Sequence, residues 1–194
     1  MEMELKVAII QSPLAWENPE KNREHFSKKL NAVSEEVDLV ILPEMFTTGF
    51  TMTPWNIAKE EGGETVKWMQ MEAKRKKVAL TGSMVYFAER ILINFKGFRI
   101  CPLICYDLRF PVWARNTENY DVLIYVANWP RPRINAWDAL LKARAIENMA
   151  YVIGVNRTGT DNTGHNYPGH STVNDVFGQP IVFSEEEQVL YATL

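Results

Sequence analysis

The chain has 194 residues, of which 46% are hydrophobic and 23% charged, a composition typical of a folded domain and not of a disordered or fibrous protein. Its formal net charge of -3 leaves no basic excess of the kind that sequence-independent binding to nucleic acid requires. No apolar run reaches the roughly 18 residues of a membrane span, and the acidic start at residues 1–4 differs from the basic start of a signal peptide. We therefore expect a cytoplasmic protein that binds neither nucleic acid nor a membrane.

Six short apolar runs rich in Val and Ile alternate with helical patterns along the chain. The runs span 5–10, 37–42, 78–83, 99–104, 122–127 and 151–156. Such near-continuous hydrophobicity is typical of strands buried on both faces. Helices are predicted after Asn18-Pro19, at 65–77 and at 137–148, from the cap or from apolar residues at helical spacing. The alternation predicts a single α/β domain over 1–194, with short antiparallel strands at an edge after Ser171.

One connection departs from this pattern. The strand at 78–83 runs through an extended segment into the next predicted strand, 91–95, and no Gly, Pro, Asn or Asp in 84–90 is present to form a turn. Lys96-Gly97, by contrast, is typical of a hairpin turn. We therefore predict a missing segment near 88–90, and we also expect a truncated C-terminus.

Cys105 follows the apolar run 99–104, and Pro111 soon after it suits the first turn of a helix. A thiol at such a strand-to-helix turn projects above the edge of the sheet, beside backbone N–H groups that stabilise an anion. The helix start also predicts a lowered pKa for this thiol. The alternative is a buried structural cysteine, which is the role we assign to Cys101, inside the strand.

Glu44 has a similar position, just beyond the strand at 37–42. Functional groups in open α/β sheets collect at the carboxyl ends of strands. In its apolar, aromatic surroundings, burial should raise the pKa of the carboxyl group, as a general base acting on a thiol requires. A solvated loop carboxylate is the alternative, but together with Cys105 the residue predicts an activated nucleophile. The scattered histidines and two cysteines do not have the spacing of a metal site.

Four motifs, in this order, resemble those of the nitrilase superfamily of carbon-nitrogen hydrolases. They are Leu-Pro-Glu-Met-Phe at 42–46, Ile-Cys-Tyr-Asp-Leu-Arg-Phe-Pro at 104–111, Ala-Asn-Trp-Pro at 127–130 and Arg-Ala-Ile-Glu-Asn at 144–148. The stretch 43–50, and Asn-Trp-Pro followed by Trp-Asp-Ala-Leu-Leu, are most similar to the bacterial ω-amidase branch. The resemblance covers nearly the whole chain. It implies a four-layer αββα sandwich, thiol catalysis without a cofactor or metal, and a homodimer.

The resemblance also implies a Glu-Lys-Cys triad, of which this chain has Glu44 and Cys105. None of the eleven lysines has the family context, a strand-end lysine between an aromatic residue and His-Leu. In the family the lysine lies between the strands that match 78–83 and 91–95, where the pattern is already broken. Either the sequence omits a few tens of residues there, or the chain is a deletion variant without its lysine.

By the same resemblance, the substrate is a short dicarboxylate monoamide, such as the ω-amide of a 2-oxo acid. It would be cleaved to acid and ammonia through a thioester on Cys105. The backbone N–H of Tyr106 would hold the oxyanion. Arg109 would bind the far carboxylate, because a guanidinium forms bidentate pairs, or it would instead pair with Asp107 or Glu147.

The apolar wall of the substrate site would come from Phe50 and Trp129, with Phe46, although such aromatics are equally typical of a core. Arg131 and Arg133 would add positive charge at the mouth, unless they are only solvated. Two alternatives stay open at this point. Other family reactions, on carbamoyl amides or nitriles, use the same catalytic core, and a chain without its lysine could be an inactive binding or assembly module.

Overall fold

A computed structural model describes residues 3–51, 55–84 and 90–194 of the chain. The missing segment predicted near 88–90 overlaps residues 85–89, which lie outside the described ranges. Within these ranges the α-helices are α1 (Pro19–Ala32), α2 (Trp55–Lys76), α3 (Pro111–Ala114) and α4 (Ile134–Asn148), with 3₁₀ turns at Cys105–Arg109 and Arg131–Arg133. The strands are β1 (Lys6–Gln11), β2 (Leu39–Ile41), β3 (Ala79–Thr81), β4 (Ile93–Phe95), β5 (Phe98–Ile104), β6 (Val122–Ala127), β7 (Tyr151–Asn156), β8 (Thr158–Thr160), β9 (Asn166–Pro168), β10 (Ser171–Asn174), β11 (Pro180–Ser184) and β12 (Gln188–Thr193).

The strands form two large sheets and one small hairpin. One sheet has the order β12-β1-β2-β3, the other has the order β11-β10-β7-β6-β5-β4, and β8 pairs with β9. Strands β1, β2 and β3 are parallel to one another, and so are β5, β6 and β7, as expected for the apolar runs. The antiparallel strands predicted after Ser171 are confirmed, but they divide between the sheets. β10 and β11 extend the six-stranded sheet, whereas β12 pairs with β1.

Alternating side chains of these strands fill three separate apolar layers. The layer between the two sheets includes Val7, Ile9, Ile41, Ile100, Ile124, Val126 and Ile153. A second layer joins the four-stranded sheet to α1 and α2, and includes Ala8, Ile10, Val40, Phe26, Leu30 and Trp68. A third joins the six-stranded sheet to α4, and includes Leu103, Leu123, Tyr125, Val152, Trp137 and Leu141. The predicted four-layer αββα sandwich is therefore confirmed, and burial of both sheet faces explains the continuous hydrophobicity of the strands.

The helix boundaries agree where a cap marks them and differ where none does. The Asn18 side chain accepts a hydrogen bond from the Lys21 N–H (3.0 Å), so α1 begins at Pro19 as predicted. The helix predicted at 65–77 begins ten residues earlier, at Trp55, because it continues through the glycine pair at 62–63. Glycine has a low helix propensity, which is why the sequence pattern did not reveal this extension. Among the described residues, no helix is long and apolar enough to cross a bilayer.

Candidate active site

Strands from both sheets end at the same side of the sandwich, and each is followed by a polar side chain. Glu44 lies three residues beyond β2, and Cys105 and Asn128 directly follow β5 and β6. All three line one cleft of about 580 Å³. Glu44 and Cys105, predicted to act as a pair, therefore lie in the same cleft at strand ends, although they are on different sheets.

Asn128 holds the buried carboxylate of Glu44. Its backbone N–H donates to Glu44 Oε2 (2.6 Å), and its side-chain Nδ2 donates to the same oxygen (3.1 Å) and to the Glu44 carbonyl oxygen (2.9 Å). The sequence analysis used Asn128 only as part of a motif and did not assign it a function. Its position directly after a buried strand, like that of Cys105, is the sequence signal that could have identified it as a site residue.

Burial raises the pKa of Glu44, because this residue is only 6% exposed. Hydrogen bonds from Asn128 and from the Cys105 thiol oppose this rise without cancelling it. The direction of this shift in the carboxyl pKa is the one predicted from the sequence. A carboxylate in this state binds a proton more readily than a solvated one, as a general base for a thiol must.

Cys105 and the residue after Glu44 both occupy strained turns. Cys105 has a φ of 42° and Met45 a φ of 47°, in the left-handed region that is uncommon for residues with a side chain. The turn at Cys105 is tied down by Asp107, whose Oδ2 accepts a hydrogen bond from the Ile104 N–H (2.9 Å). The turn after Glu44 is tied down by the Ser83 hydroxyl, which accepts from the Met45 N–H (3.1 Å). Strain of this kind is typical of functional sites that need a fixed geometry.

The lowered pKa predicted for the Cys105 thiol is wrong. Burial, the negative charge of Glu44 and a hydrogen bond to Glu44 all raise it, and the Asn128 N–H and the positive charge of Arg133 only partly oppose them. The helix that was expected to lower it, α3, has only four residues and starts six positions later. The Cys105 thiol therefore holds its proton more tightly than a solvated thiol does, and the Glu44 carboxylate lies beside it. Cys101, in contrast, is completely buried, as predicted.

The two aromatic residues assigned to the apolar wall have different positions. Phe50 is 42% exposed and lines the cleft, as Tyr106 does. Trp129 is only 2% exposed and packs against Trp137, with ring centroids 5.5 Å apart. It is a core residue below the cleft rather than part of its lining, and Phe46 is likewise completely buried. The prediction that Trp129 forms part of the cleft wall is therefore wrong, because its ring fills the apolar layer beneath α4.

Arg109 is also absent from the described lining of the cleft. Its guanidinium carbon lies 4.9 Å from the Trp129 ring centroid and 5.5 Å from the Tyr106 ring centroid. The alternative ion pair with Glu147 is not formed, because Glu147 pairs with Arg144 (2.8 Å). The geometry thus supports a cation-π contact next to the site. Binding of a substrate carboxylate by Arg109 stays a prediction.

A loop that the sequence analysis did not single out completes the cleft. It joins β8 to β9 and contributes Asp161, Thr163 and His165 to the lining, and Tyr167 of β9 lies next to them. Burial alone would raise the pKa of Asp161, but hydrogen bonds from Thr163, Tyr167 and the His165 N–H lower it to about 2. These hydrogen bonds hold the loop around the ionised carboxylate of Asp161.

His170, to which the sequence analysis assigned no role, pairs instead with Asp138 on α4, with Nδ1 and Oδ2 3.0 Å apart. In the described part of the chain, no group of three or more His, Cys, Asp or Glu side chains is placed to hold a metal ion.

Two packed sheets with a buried carboxylate hydrogen-bonded to a strand-end thiol are the arrangement of a thiol-dependent hydrolase. Comparison with known families agrees with this class. The model of the carbon-nitrogen hydrolase family matches residues 6–95 and 91–194. The chain belongs to the carbon-nitrogen hydrolase family, and is thus a hydrolase of carbon-nitrogen bonds.

Individual relatives refine the comparison. An ω-amidase named YafV, from Yersinia enterocolitica, is 37% identical over 90% of this chain and 83% of its own length. A 2-oxoglutaramate amidase from Bacillus subtilis is 27% identical over 96% of this chain and 88% of its own length. The crystal structure of a CN-hydrolase superfamily protein from Xanthomonas campestris, with an arsenic adduct in its active site, superimposes with a TM-score of 0.93. It is 35% identical, over 98% of this chain and 90% of that one.

The alignments are longer than the part of the chain they cover. The alignment with the Yersinia protein has 214 positions, yet it covers 90% of 194 residues, or about 175. About 40 aligned positions therefore have no counterpart in this chain. The family match divides at 91–95, immediately after the predicted break.

Proposed function

We propose that the protein is an ω-amidase, which hydrolyses the terminal amide of short dicarboxylate monoamides, such as the ω-amides of 2-oxo acids, to the acid and ammonia. The observation that carries this proposal is the buried Glu44 carboxylate hydrogen-bonded to the Cys105 thiol in an open cleft. The choice of amide over other carbon-nitrogen bonds rests on the names of the relatives. Carbamoyl amides and nitriles are the alternative substrates.

The reaction follows from the arrangement of the proton donors and acceptors. Glu44 takes the proton of the Cys105 thiol, and the sulfur attacks the amide carbon. The backbone N–H of Tyr106 stabilises the negative oxygen of the tetrahedral intermediate. The protonated Glu44 returns its proton to the leaving nitrogen, and ammonia departs from a thioester. Glu44 then deprotonates a water molecule, which attacks the thioester and releases the acid and the thiol.

The cleft lining fits a short substrate with an apolar middle. Phe50 and Pro130 offer apolar surface beside Cys105, while Asn128 and Tyr106 provide polar groups close to the thiol. A chain of two methylene groups between the amide and a second carboxylate would contact this apolar surface.

Succinamate and butanamide test the proposal, because both are amides of four carbons and only succinamate carries a carboxylate at the far end. We expect kcat/KM to be roughly ten- to a hundredfold higher for succinamate, the effect of about 1.5 to 3 kcal/mol for hydrogen bonds to a charged group. Ammonia release is the measurement, with Cys105→Ala as the background control. Equal rates for the two amides would contradict an ω-amidase and favour another branch of the family.

We further propose that a segment of about 40 residues, containing the triad lysine, belongs near 88–90. The alignment excess and the divided family match support this. So does the position of the two flanking strands, since β3 and β4 are edge strands of different sheets. A segment that crosses from one sheet to the other would cover both edges. The alternative is a deletion variant that persists as a binding or assembly module.

We also propose a homodimer, which the family resemblance implies. The surface retains large exposed apolar side chains, among them Val112 at 83% and Phe177 at 69% exposure, which an interface between two copies would cover. Light scattering should then give about twice the chain mass of 22.4 kDa. A native mass equal to that of one chain would contradict the dimer.

A further inference from the structure

One arginine side chain lines the cleft, and it is not the one that the sequence analysis preferred. Among the described lining residues, Arg133 is the only Arg or Lys. It ends the 3₁₀ turn that precedes α4. Its backbone is fixed from two sides, because its N–H donates to the Pro130 carbonyl (3.0 Å) and its own carbonyl accepts from Trp129 Nε1 (2.7 Å). The side chain therefore starts from a rigid position at the rim.

The charge of Arg133 is not neutralised by a neighbour. In the part of the chain that the structure describes, its side chain takes part in no hydrogen bond or ion pair. The nearby carboxylates are already engaged. Asp107 accepts from the Ile104 N–H, and Asp161 accepts from the residues of its own loop.

The field of Arg133 reaches the reacting sulfur. Its positive charge is one of the two influences that oppose the raised pKa of the Cys105 thiol. Arg133 and Cys105 also line the same cleft, so Arg133 can act on an anionic group of a molecule that occupies the space between the rim and Cys105. Arg109, by comparison, is stacked between the Tyr106 and Trp129 rings and does not line the cleft.

We propose that Arg133 binds the second carboxylate of the substrate and so determines the preference for dicarboxylate monoamides. This inference rests on the proposed ω-amidase function and assigns its specificity to one side chain. The guanidinium presents a planar pair of donors that matches a carboxylate. The amide carbon then lies at Cys105, the methylene groups lie against Phe50 and Pro130, and the carboxylate lies at the rim.

A first experiment needs no turnover and is independent of the triad lysine. Iodoacetate and iodoacetamide alkylate thiols with the same leaving group and differ in charge, so the ratio of their rates at one cysteine cancels any change in thiolate fraction. We expect Cys105 to be labelled before the buried Cys101, as peptide mapping would show. In Arg133→Ala, the iodoacetate to iodoacetamide ratio at Cys105 should fall about three- to tenfold, as expected for the loss of one nearby charge.

Arg131→Ala is the matched control. Arg131 belongs to the same turn and carries the same charge, but its Nε donates to Asn166 (2.8 Å) and it is not among the lining residues. The ratio should stay at the wild-type value in this variant. An equal fall in both variants would mean a general effect of surface charge and would overturn the assignment to Arg133.

A second experiment measures the substrate preference itself. The ratio of kcat/KM for succinamate over butanamide should collapse in Arg133→Ala, fall partly in Arg133→Lys and stay unchanged in Arg131→Ala, because lysine keeps the charge and loses the planar fork. If wild type shows the preference and Arg133→Ala retains it, the inference fails while the ω-amidase proposal stands. Loss of preference in Arg109→Lys alone would assign the carboxylate to Arg109. If wild type shows no preference, the proposed function itself fails.

Discussion

Replacing Cys105 with alanine should lower kcat for amide hydrolysis to background, a loss on the order of 10⁶-fold for a nucleophile. Glu44→Gln should cost at least about 10²- to 10⁴-fold, the usual contribution of a general base. The two groups share one hydrogen bond and handle one proton, so they act as a unit. We therefore expect the double variant to be no slower than Cys105→Ala alone, as kinetic assays of all three would show.

The control variants separate catalysis from folding. Cys101→Ala changes the other cysteine, which is buried in the layer beneath α4, and should retain activity. Full activity in Glu44→Gln would show that the carboxylate is not the base, and additive losses in the double variant would show that the two residues act separately.

Glu44→Gln should also be more stable than wild type at alkaline pH, which gives the same variant an independent readout. Burial raises the pKa of Glu44, so the folded state binds its proton more tightly than the unfolded state does. The stability that this group contributes is present at low pH and is lost as the pH rises through the raised pKa. Glutamine does not ionise, so the advantage of the variant should disappear below that pH. Urea unfolding at several pH values measures this difference.

The 194-residue chain should turn over succinamate about 10²- to 10³-fold more slowly than the ω-amidase YafV of Yersinia enterocolitica. The reason is the oxyanion. In the proposed mechanism the Tyr106 N–H is the donor that this chain offers, and loss of one oxyanion donor, here the triad lysine that the family resemblance implies, typically costs this factor in kcat. Both proteins would be assayed side by side for ammonia release. Equal values of kcat would show that this chain needs no lysine.

Two measurements test the proposal that a segment with the triad lysine belongs near 88–90. Grafting the relative's corresponding segment at 88–90 should restore most of the rate, and the same graft with its lysine changed to methionine should not. The protein made from its natural gene should have an intact mass about 4.6 kDa above 22.4 kDa, the mass of about 40 residues at the average of this chain. A mass of 22.4 kDa would instead identify a true deletion variant.

Strand ends are readable from sequence because a strand buried on both faces is apolar along its whole length and stops where polarity begins. That rule was sufficient to identify Glu44 and Cys105 as candidates, and the caps at Asn18 and Pro19 defined the start of α1. The direction of the Glu44 pKa shift was also predicted from the sequence, because burial is its largest cause.

The two properties that the sequence predicted wrongly, the pKa of Cys105 and the position of Trp129, depend on groups far apart along the chain. The pKa of Cys105 is raised and not lowered, because burial, the largest cause, acts together with the negative charge of Glu44, which lies 61 positions away in sequence and on the other sheet. Trp129 lies beneath the cleft because its ring packs on Trp137 of α4, a contact that no local pattern reveals.

The sequence by itself determined the α/β class, the carboxylate and the thiol, since each depends on local periodicity or on a strand end, and the four-layer αββα order was implied by the family resemblance. Only the tertiary structure decided what surrounds them. Asn128 donates hydrogen bonds to Glu44, and the loop between β8 and β9 lines one side of the cleft. Arg133, rather than Arg109, also lines it. Arg109 and Arg133, four and twenty-eight residues after Cys105, have the same side chain, so the sequence alone does not distinguish them. Their accessibility to a substrate is set by how the 3₁₀ turns pack against α4.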